Sequence, residues 1–417
     1  MSRIPRREFL NLSALAAGGA LLAPRLSFAS ATRGKSRLVV VIMRGALDGL
    51  AAVPPYGDPD YARLRGDLAL RPGGGPGGEA LTLDGHFGLH PALGFLHDSF
   101  TARELLVFQA IASPYRERSH FDGQDLLENG TPRAHAVQTG WLNRALAEMP
   151  GRPAREAGVA LGQNVPLLMR GPAAVTSWSP SKLTALDEDT LARITDLYAA
   201  DKLLSVRLAD ALAGDRIAAE DADDAMMTGK PAMQSPAQPA PAAQGPGRYA
   251  EVVHAAAGFL KQEDGPQVAV FDTTGWDTHA NEGGAKGQLA GRLAQLDAAL
   301  ATLKQQLGPV WNDTAVLLMT EFGRTAATNG TRGTDHGTAT AAFLLGGAVA
   351  GGRVVTDWPG LAPRALYQGR DLAPTLDLRC VLKGLLADQL RVPTRALEKT
   401  VFPDSESARP LAGLLRG

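Results

Sequence analysis

Cysteine is nearly absent: Cys380 is the only one in 417 residues. A single thiol excludes an internal disulfide framework and any zinc site built from several cysteines. A dominant charge sign is also lacking. The 42 basic and 43 acidic side chains leave a formal net charge of −1, which argues against broad, sequence-independent nucleic-acid binding, because that needs a basic face. No stretch is apolar for the roughly 20 residues that a membrane-spanning helix needs, and no internal repeat is present. A phosphate loop is missing too. The glycine-rich segment 71–79 (RPGGGPGGE) lacks the Gly-Lys-Ser/Thr ending and reads as a surface loop. What remains is ordinary globular composition, 45% hydrophobic and 20% charged. Such a length allows two or three domains or one large α/β unit.

The first 29 residues read as an address and not as part of the fold. Pro5-Arg6-Arg7-Glu8-Phe9-Leu10 is a twin-arginine pattern. A mildly apolar run from Leu12 to Ala23 follows, and Ser27-Phe28-Ala29 offers the small residues a signal peptidase requires. The apolar run is about half of a bilayer span, so no stable membrane anchor is expected. The expected location is periplasmic or secreted, with the twin-arginine export machinery as a partner. That route carries folded proteins, so a metal or cofactor can be loaded in the cytoplasm first.

The remainder alternates strands and helices. Residues 37–43 (RLVVVIM), 104–112 (ELLVFQAIA), 267–271 (QVAVF), 314–320 (TAVLLMT) and 342–346 (AFLLG) are continuous apolar runs, the mark of strands buried on both faces. Helical patterns cover 90–100, 124–129, 141–148, 183–212 with breaks, 249–262, 287–307 and 371–390. In 287–307, Leu289, Leu293, Leu296, Leu300 and Leu303 recur at helical spacing. The alternation predicts a three-layer α/β/α sandwich with a mainly parallel sheet. A proline-rich stretch without a hydrophobic face, at about 228–248, predicts a disordered insertion within a single α/β domain of residues 30–417.

The residues suited to chemistry cluster at the ends of these strands. After 267–271 comes Asp272-Thr273-Thr274-Gly275-Trp276-Asp277-Thr278-His279. After 314–320 comes Glu321-Phe322-Gly323-Arg324-Thr325, and before the last strand Gly333-Thr334-Asp335-His336-Gly337. The carboxyl edge of a parallel sheet is where ligands bind. Imidazole nitrogens with carboxylate oxygens suit a divalent ion such as zinc, manganese or iron. In Asp277 and His279, positions i and i+2 of an extended segment project from one face. His86 and His90 read as part of a turn entering a helix.

The order strand, Gly-Trp-Asp-Thr-His, helix, strand, Glu-Phe-Gly-Arg-Thr, Thr-Asp-His-Gly resembles the family of exported bacterial proteins called domain of unknown function 1501. Residues 44–50 (RGALDGL) and 118–122 (RSHFD) add to the likeness. That family is similar to the alkaline phosphatase and sulfatase superfamily. The resemblance implies an alkaline-phosphatase-like domain that binds divalent metal (zinc, manganese, calcium or iron) and hydrolyses phosphate or sulfate esters of small molecules or glycans. It implies metal-ligand roles for Asp277, His279, Glu321, Asp335, His336 and Asp48. Glu321-Phe322 stands where the superfamily has Asp-His, and Asp48 lies several residues beyond the first strand. The implied catalytic set is Ser119, His120, Arg118 and Arg324. Ser119 reads either as a nucleophile at a helix start, with Arg116 and Arg118 pairing with an anion, or as a helix cap. The rival expectation is a non-catalytic periplasmic binding or assembly protein with a degenerate metal site.

Overall fold

Continuous apolar strands dictate a sheet covered on both sides, and this is what forms. A computed structural model describes residues 35–73, 79–151, 157–180, 188–199, 201, 204–205, 208–209, 212–214 and 246–417. The expected signal at 1–29 lies outside the described residues. So does the expected insertion at about 228–248, except for its last three residues, which open a helix (Pro246–Lys261). Ser36–Gly417 cluster as one compact unit.

The strands of the main sheet are β1 (Arg37–Arg44), β2 (Leu105–Ala112), β3 (Gly158–Leu161), β4 (Val175–Trp178), β5 (Val268–Thr274), β6 (Thr314–Met319), β7 (Thr340–Leu345), β8 (Arg353–Val355) and β9 (Leu376–Asp377). Their order is β8-β2-β7-β6-β1-β5-β3-β4, with β9 also on β2. Central β1 pairs in parallel with β5 and β6, Ile42 standing opposite Asp272 and Met319. Only β7 runs antiparallel to its neighbours, β2 and β6.

Alternate side chains of β1 enter opposite layers. Val39, Val41 and Met43 join one apolar cluster with helices α3 (Gly94–Thr101), α6 (Pro246–Lys261) and α7 (Gln288–Leu307). Leu38, Val40 and Ile42 join the other with α5 (Trp141–Ala147) and α8 (Leu378–Leu390). All five leucines at helical spacing in α7 are buried. Two short helices, α1 (Gly49–Ala52) and α2 (Tyr61–Arg65), follow β1, and α4 (His120–Asn129) follows β2. The three-layer architecture with a mainly parallel sheet is as expected.

The helix expected over 371–390 starts only at Leu378. Its first residues are spent otherwise: Leu376 and Asp377 pair with β2, and the Asp377 carboxylate accepts the Arg379 N–H as a cap. The helical pattern at 124–129 extends back to His120, so Ser119 stands at a helix start as expected, and the first helical residue brings a histidine to the site.

Candidate metal centre

The reversal of β7 assembles the site. The carboxyl ends of β1, β2, β5 and β6 reach one sheet edge, and because β7 is antiparallel, its N-terminal approach reaches the same edge. Residues before β7 and residues after β2, β5 and β6 therefore meet. Two motifs join there as a short ribbon. Gly323 N–H donates to Thr338 O (3.0 Å), Gly337 N–H to Gly323 O (2.8 Å) and Thr325 N–H to Asp335 O (2.8 Å). Glycine is required by contact: a Cβ on Gly323 would lie 1.9 Å from Ala339 O, and one on Gly337 2.3 Å from the Arg324 carbonyl. The ribbon fixes Arg324 opposite His336.

Three imidazoles and one carboxylate converge. His336 Nε2 is 3.0 Å from His120 Nε2 and 3.0 Å from His279 Nε2. The Asp277 carboxylate lies 3.4 Å from His120 Nε2, 3.1 Å from His279 Nε2 and 3.2 Å from His336 Nε2. His120, Asp277 and His336 offer ligand atoms within 4.8 Å of one another.

The opposite ring nitrogens decide what these Nε2 atoms are. His336 Nδ1 faces the Arg118 carbonyl at 3.0 Å, and a carbonyl only accepts, so the proton sits on Nδ1. His279 Nδ1 faces Asp335 Oδ1 at 3.2 Å, and His120 Nδ1 faces Glu321 Oε1 at 2.8 Å. With Nδ1–H donated outward, an imidazole in its neutral form turns a bare Nε2 lone pair inward. Lone pairs 3.0 Å apart repel unless a cation or proton lies between them. A tetrahedral ion with zinc–nitrogen bonds of about 2.0–2.1 Å needs ligand atoms about 3.3–3.4 Å apart, close to the 3.0–3.4 Å seen among His120, Asp277 and His336; His279 approaches His336 and Asp277 but lies outside the group whose ligand atoms are all within 4.8 Å of one another. The residues fit a divalent metal.

Each ligand candidate is braced from behind, as metal-ligating groups generally are. Glu321 is buried. Besides His120 it accepts from Gly45 N–H (2.9 Å), Gln124 Nε2 (3.0 Å) and Thr320 Oγ1 (2.9 Å). Phe322 stacks on the His120 ring with centroids 5.0 Å apart. Asp335 also accepts from Asn329 Nδ2 (3.1 Å). The buried Arg324 guanidinium donates to Asp277 Oδ1 and to the Thr334 carbonyl, and its Nε donates to Thr334 Oγ1 (3.2 Å).

Several expected roles change. Glu321 and Asp335 bind the rear nitrogens of two histidines and do not face the cluster. Asp48 is no ligand either. Its Oδ1 accepts the Leu50 and Ala51 N–H groups at 3.0 Å as the cap of α1, and Oδ2 takes Arg65 Nη2 at 2.5 Å. Arg116 turns its guanidinium to the Ser113 and Tyr115 carbonyls, which removes it as an anion partner. Arg118 sends Nε to Asp371 (2.8 Å) and Nη2 to Gln368 (2.7 Å), and it serves His336 through its carbonyl. Its φ of +63° orients that carbonyl. Ser119 occupies the cap position of α4, yet its side chain makes no cap bond; it hydrogen-bonds Tyr115, whose Oη also accepts the Ser119 N–H at 3.0 Å. His120, the next residue, is the one that reaches the cluster.

Sequence reading passed over Asp371, Arg370 and Gln368, which hold Arg118 and the His336 segment, and Gln124, which supports Glu321. A polar segment ahead of a helix gave no signal of this. Charges respond to the crowding. Hydrogen bonds to Asp277 and Glu321 push His120 up to about 9, so at neutral pH its Nε2 carries a proton toward Asp277 that a bound cation would displace. Burial would raise Asp277, but His120, His336 and Arg324 hold it well below the usual carboxylate range. Burial likewise opposes the ionised form of Glu321, and bonds from His120, Gln124 and backbone N–H groups lower it on balance.

A family model described as "Protein of unknown function (DUF1501)" matches residues 108–401. No curated protein matches. Among solved structures, the phosphonate monoester hydrolase of Agrobacterium radiobacter is 11% identical, over 86% of this chain and 74% of that one, with a TM-score of 0.36. Ps i-CgsB in complex with k-i-k-neocarrahexaose is 10% identical over 90% and 77%, with a TM-score of 0.36. The C-terminal periplasmic domain of EcEptC from Escherichia coli, a zinc complex, is 11% identical over 75% and 72%, with a TM-score of 0.33. Likeness at this level says nothing of activity.

Proposed function

Because the chain belongs to the DUF1501 family, whose description carries no activity, we propose a function from the site, the twin-arginine pattern and the superfamily resemblance together: an exported, metal-dependent hydrolase of phosphate or sulfate esters. One observation carries the metal. Nδ1 of each of three histidines is committed to an outward acceptor, so three Nε2 lone pairs are left to converge with the Asp277 carboxylate.

His120, His336 and Asp277 would hold the ion, with His279 beside His336 and Asp277 as a further donor. A bound divalent cation supplies charge stabilisation at a transferring phosphoryl or sulfuryl group. The surrounding residues have defined tasks. Glu321 keeps the His120 ring turned inward. Arg324 keeps Asp277 ionised and positioned. Asp335 and the Arg118 carbonyl set the other two imidazoles. Ser119 stands at the start of α4, beside free helix N–H groups, as the candidate nucleophile; attack by water is the other route. Asp277 and His279 keep 40% and 46% of their side chains open to solvent, so a substrate can reach the cluster.

The twin-arginine pattern at Arg6-Arg7 supports export. Among the described residues no helix is long and apolar enough to cross a membrane. The non-catalytic reading draws on Phe322, an apolar ring at the position where the superfamily places a second metal ligand.

The test is metal analysis of protein purified from its native host, followed by hydrolysis assays on phosphate monoesters, phosphate diesters and sulfate esters. Ester cleavage that a chelator abolishes and added metal restores supports the proposal. Bound metal without cleavage of any ester favours the binding protein. Ser119→Ala separates the routes: it abolishes covalent catalysis and spares attack by water.

A further inference from the structure

Two guanidiniums share one carboxylate beside His336. Asp371 is fully buried. Its Oδ2 accepts from Arg118 Nε (2.8 Å) and Thr338 Oγ1 (2.7 Å), while Oδ1 accepts no hydrogen bond and lies 3.5 Å from Arg370 Nε. One carboxylate neutralises one cation. Arg118 has the better claim: it is also bonded to Gln368 Oε1 (2.7 Å), lies 5.9 Å from the Tyr367 ring and has only 18% of its side chain exposed. Arg370 keeps 42% of its side chain exposed and donates Nη2 to the His336 backbone carbonyl. Its charge therefore stands in surplus, next to a ligand candidate and open to solvent. Arg324 is matched by Asp277, Arg44 by Glu128 and Asp272, and Arg65 by Asp48, while Arg116 is held by the Ser113 and Tyr115 carbonyls and Arg332 by Asn281, neither of which bonds a cluster residue.

We propose that Arg370 binds the oxyanion of the substrate, taking oxygens of the tetrahedral phosphoryl or sulfuryl group that the ion does not. The proposal rests on the metal reading above and adds a substrate-binding residue to it. A guanidinium presents two parallel N–H groups with the spacing of two oxygens on such an anion. Arg370 now makes one bond to a neutral backbone carbonyl and one long ion contact to a carboxylate that also serves Arg118, so neither partner supplies it with a counter-charge of its own. An incoming anion that is partly desolvated against the cluster would draw the side chain across.

The test measures binding and not turnover. Zinc content is measured first, then the zinc-loaded protein is titrated calorimetrically with inorganic phosphate and, separately, with inorganic sulfate. Arg370→Gln is expected to keep its zinc and to bind the anion at least about tenfold more weakly. Arg370→Lys should recover part of the loss. Arg332→Gln removes an exposed cation that is bonded to Asn281 Oδ1 and should bind like wild type. The anion held more tightly by wild type identifies phosphoryl or sulfuryl as the recognised group. Equal affinity in Arg370→Gln, an equal loss in Arg332→Gln, or no anion binding by zinc-loaded wild type would overturn the proposal while leaving the metal reading intact. A wild-type protein that holds no zinc would remove the metal reading and this proposal together.

Discussion

Substituting Glu282 by glutamine should change how stability varies with pH. Glu282 and Asp48 face a single guanidinium, Arg65, in a space closed to solvent, with Arg65 Nη2 3.7 Å from Glu282 Oε1 and 2.5 Å from Asp48 Oδ2. Burial and the neighbouring Asp48 charge push Glu282 up to about 8 from an ordinary 4.5. Burial opposes ionisation of Asp48 too, but Arg65 and a hydrogen bond with Glu282 keep it low. Glu282 is thus the member that keeps the proton. Between about 4.5 and 8 the folded state binds one proton more than the unfolded state. Stability then falls as pH rises, by up to about 1.4 kcal/mol per unit. From pH 6 to 8 the loss is about 2 kcal/mol, and above 8 this group adds nothing further. Glutamine cannot ionise, so Glu282→Gln should lose that slope and gain about 2 kcal/mol on wild type across the interval. His120 also loses stabilising protonation as pH rises, but it is present in both proteins and cancels in the difference. Urea unfolding at pH 5 to 9 measures the two curves. Parallel curves would refute the idea that Glu282 holds a proton in this cluster.

Other perturbations test other levels. Glu321→Gln leaves the His120 ring without its charged acceptor; zinc affinity should fall about 10- to 100-fold, by competition titration, with little change in fold. Replacing Arg6 and Arg7 by lysine should leave unprocessed protein in the cytoplasm, which fractionation and immunoblotting would show. Deleting residues 230–245, which stop short of α6, and closing the gap with a short glycine-serine link should leave the melting temperature nearly unchanged; a large drop would mean the segment is packed.

The sheet was legible because its strands are buried on both faces, so β1, β2, β5, β6 and β7 stand out as unbroken apolar runs. The short strands β3, β4 and β8 were not: three or four residues carry too little pattern. That Asp277, His279 and His336 meet was readable from spacing and from the strand edge. The separation of ligands from their braces was not. Asp, Glu and His next to one another in a motif look alike in sequence, and only the fold shows that Asp335 and Glu321 bond the far side of the rings while His120 faces the cluster. His120 itself belonged to a motif read for its serine. The charge pairing of Arg118 and Arg370 on Asp371 joins residues some 250 positions apart, beyond the reach of any local pattern.

Zinc stoichiometry is the measurement closest to the central claim. Wild-type protein, stripped with a chelator and titrated with zinc, should bind the ion tightly at a site that contains His120, Asp277 and His336. His336→Ala and Asp277→Ala should lose that site while circular dichroism shows the same secondary structure, because both residues lie at an exposed sheet edge and not in the core. Unaltered zinc binding in these two variants, or none in wild type, would contradict the metal centre.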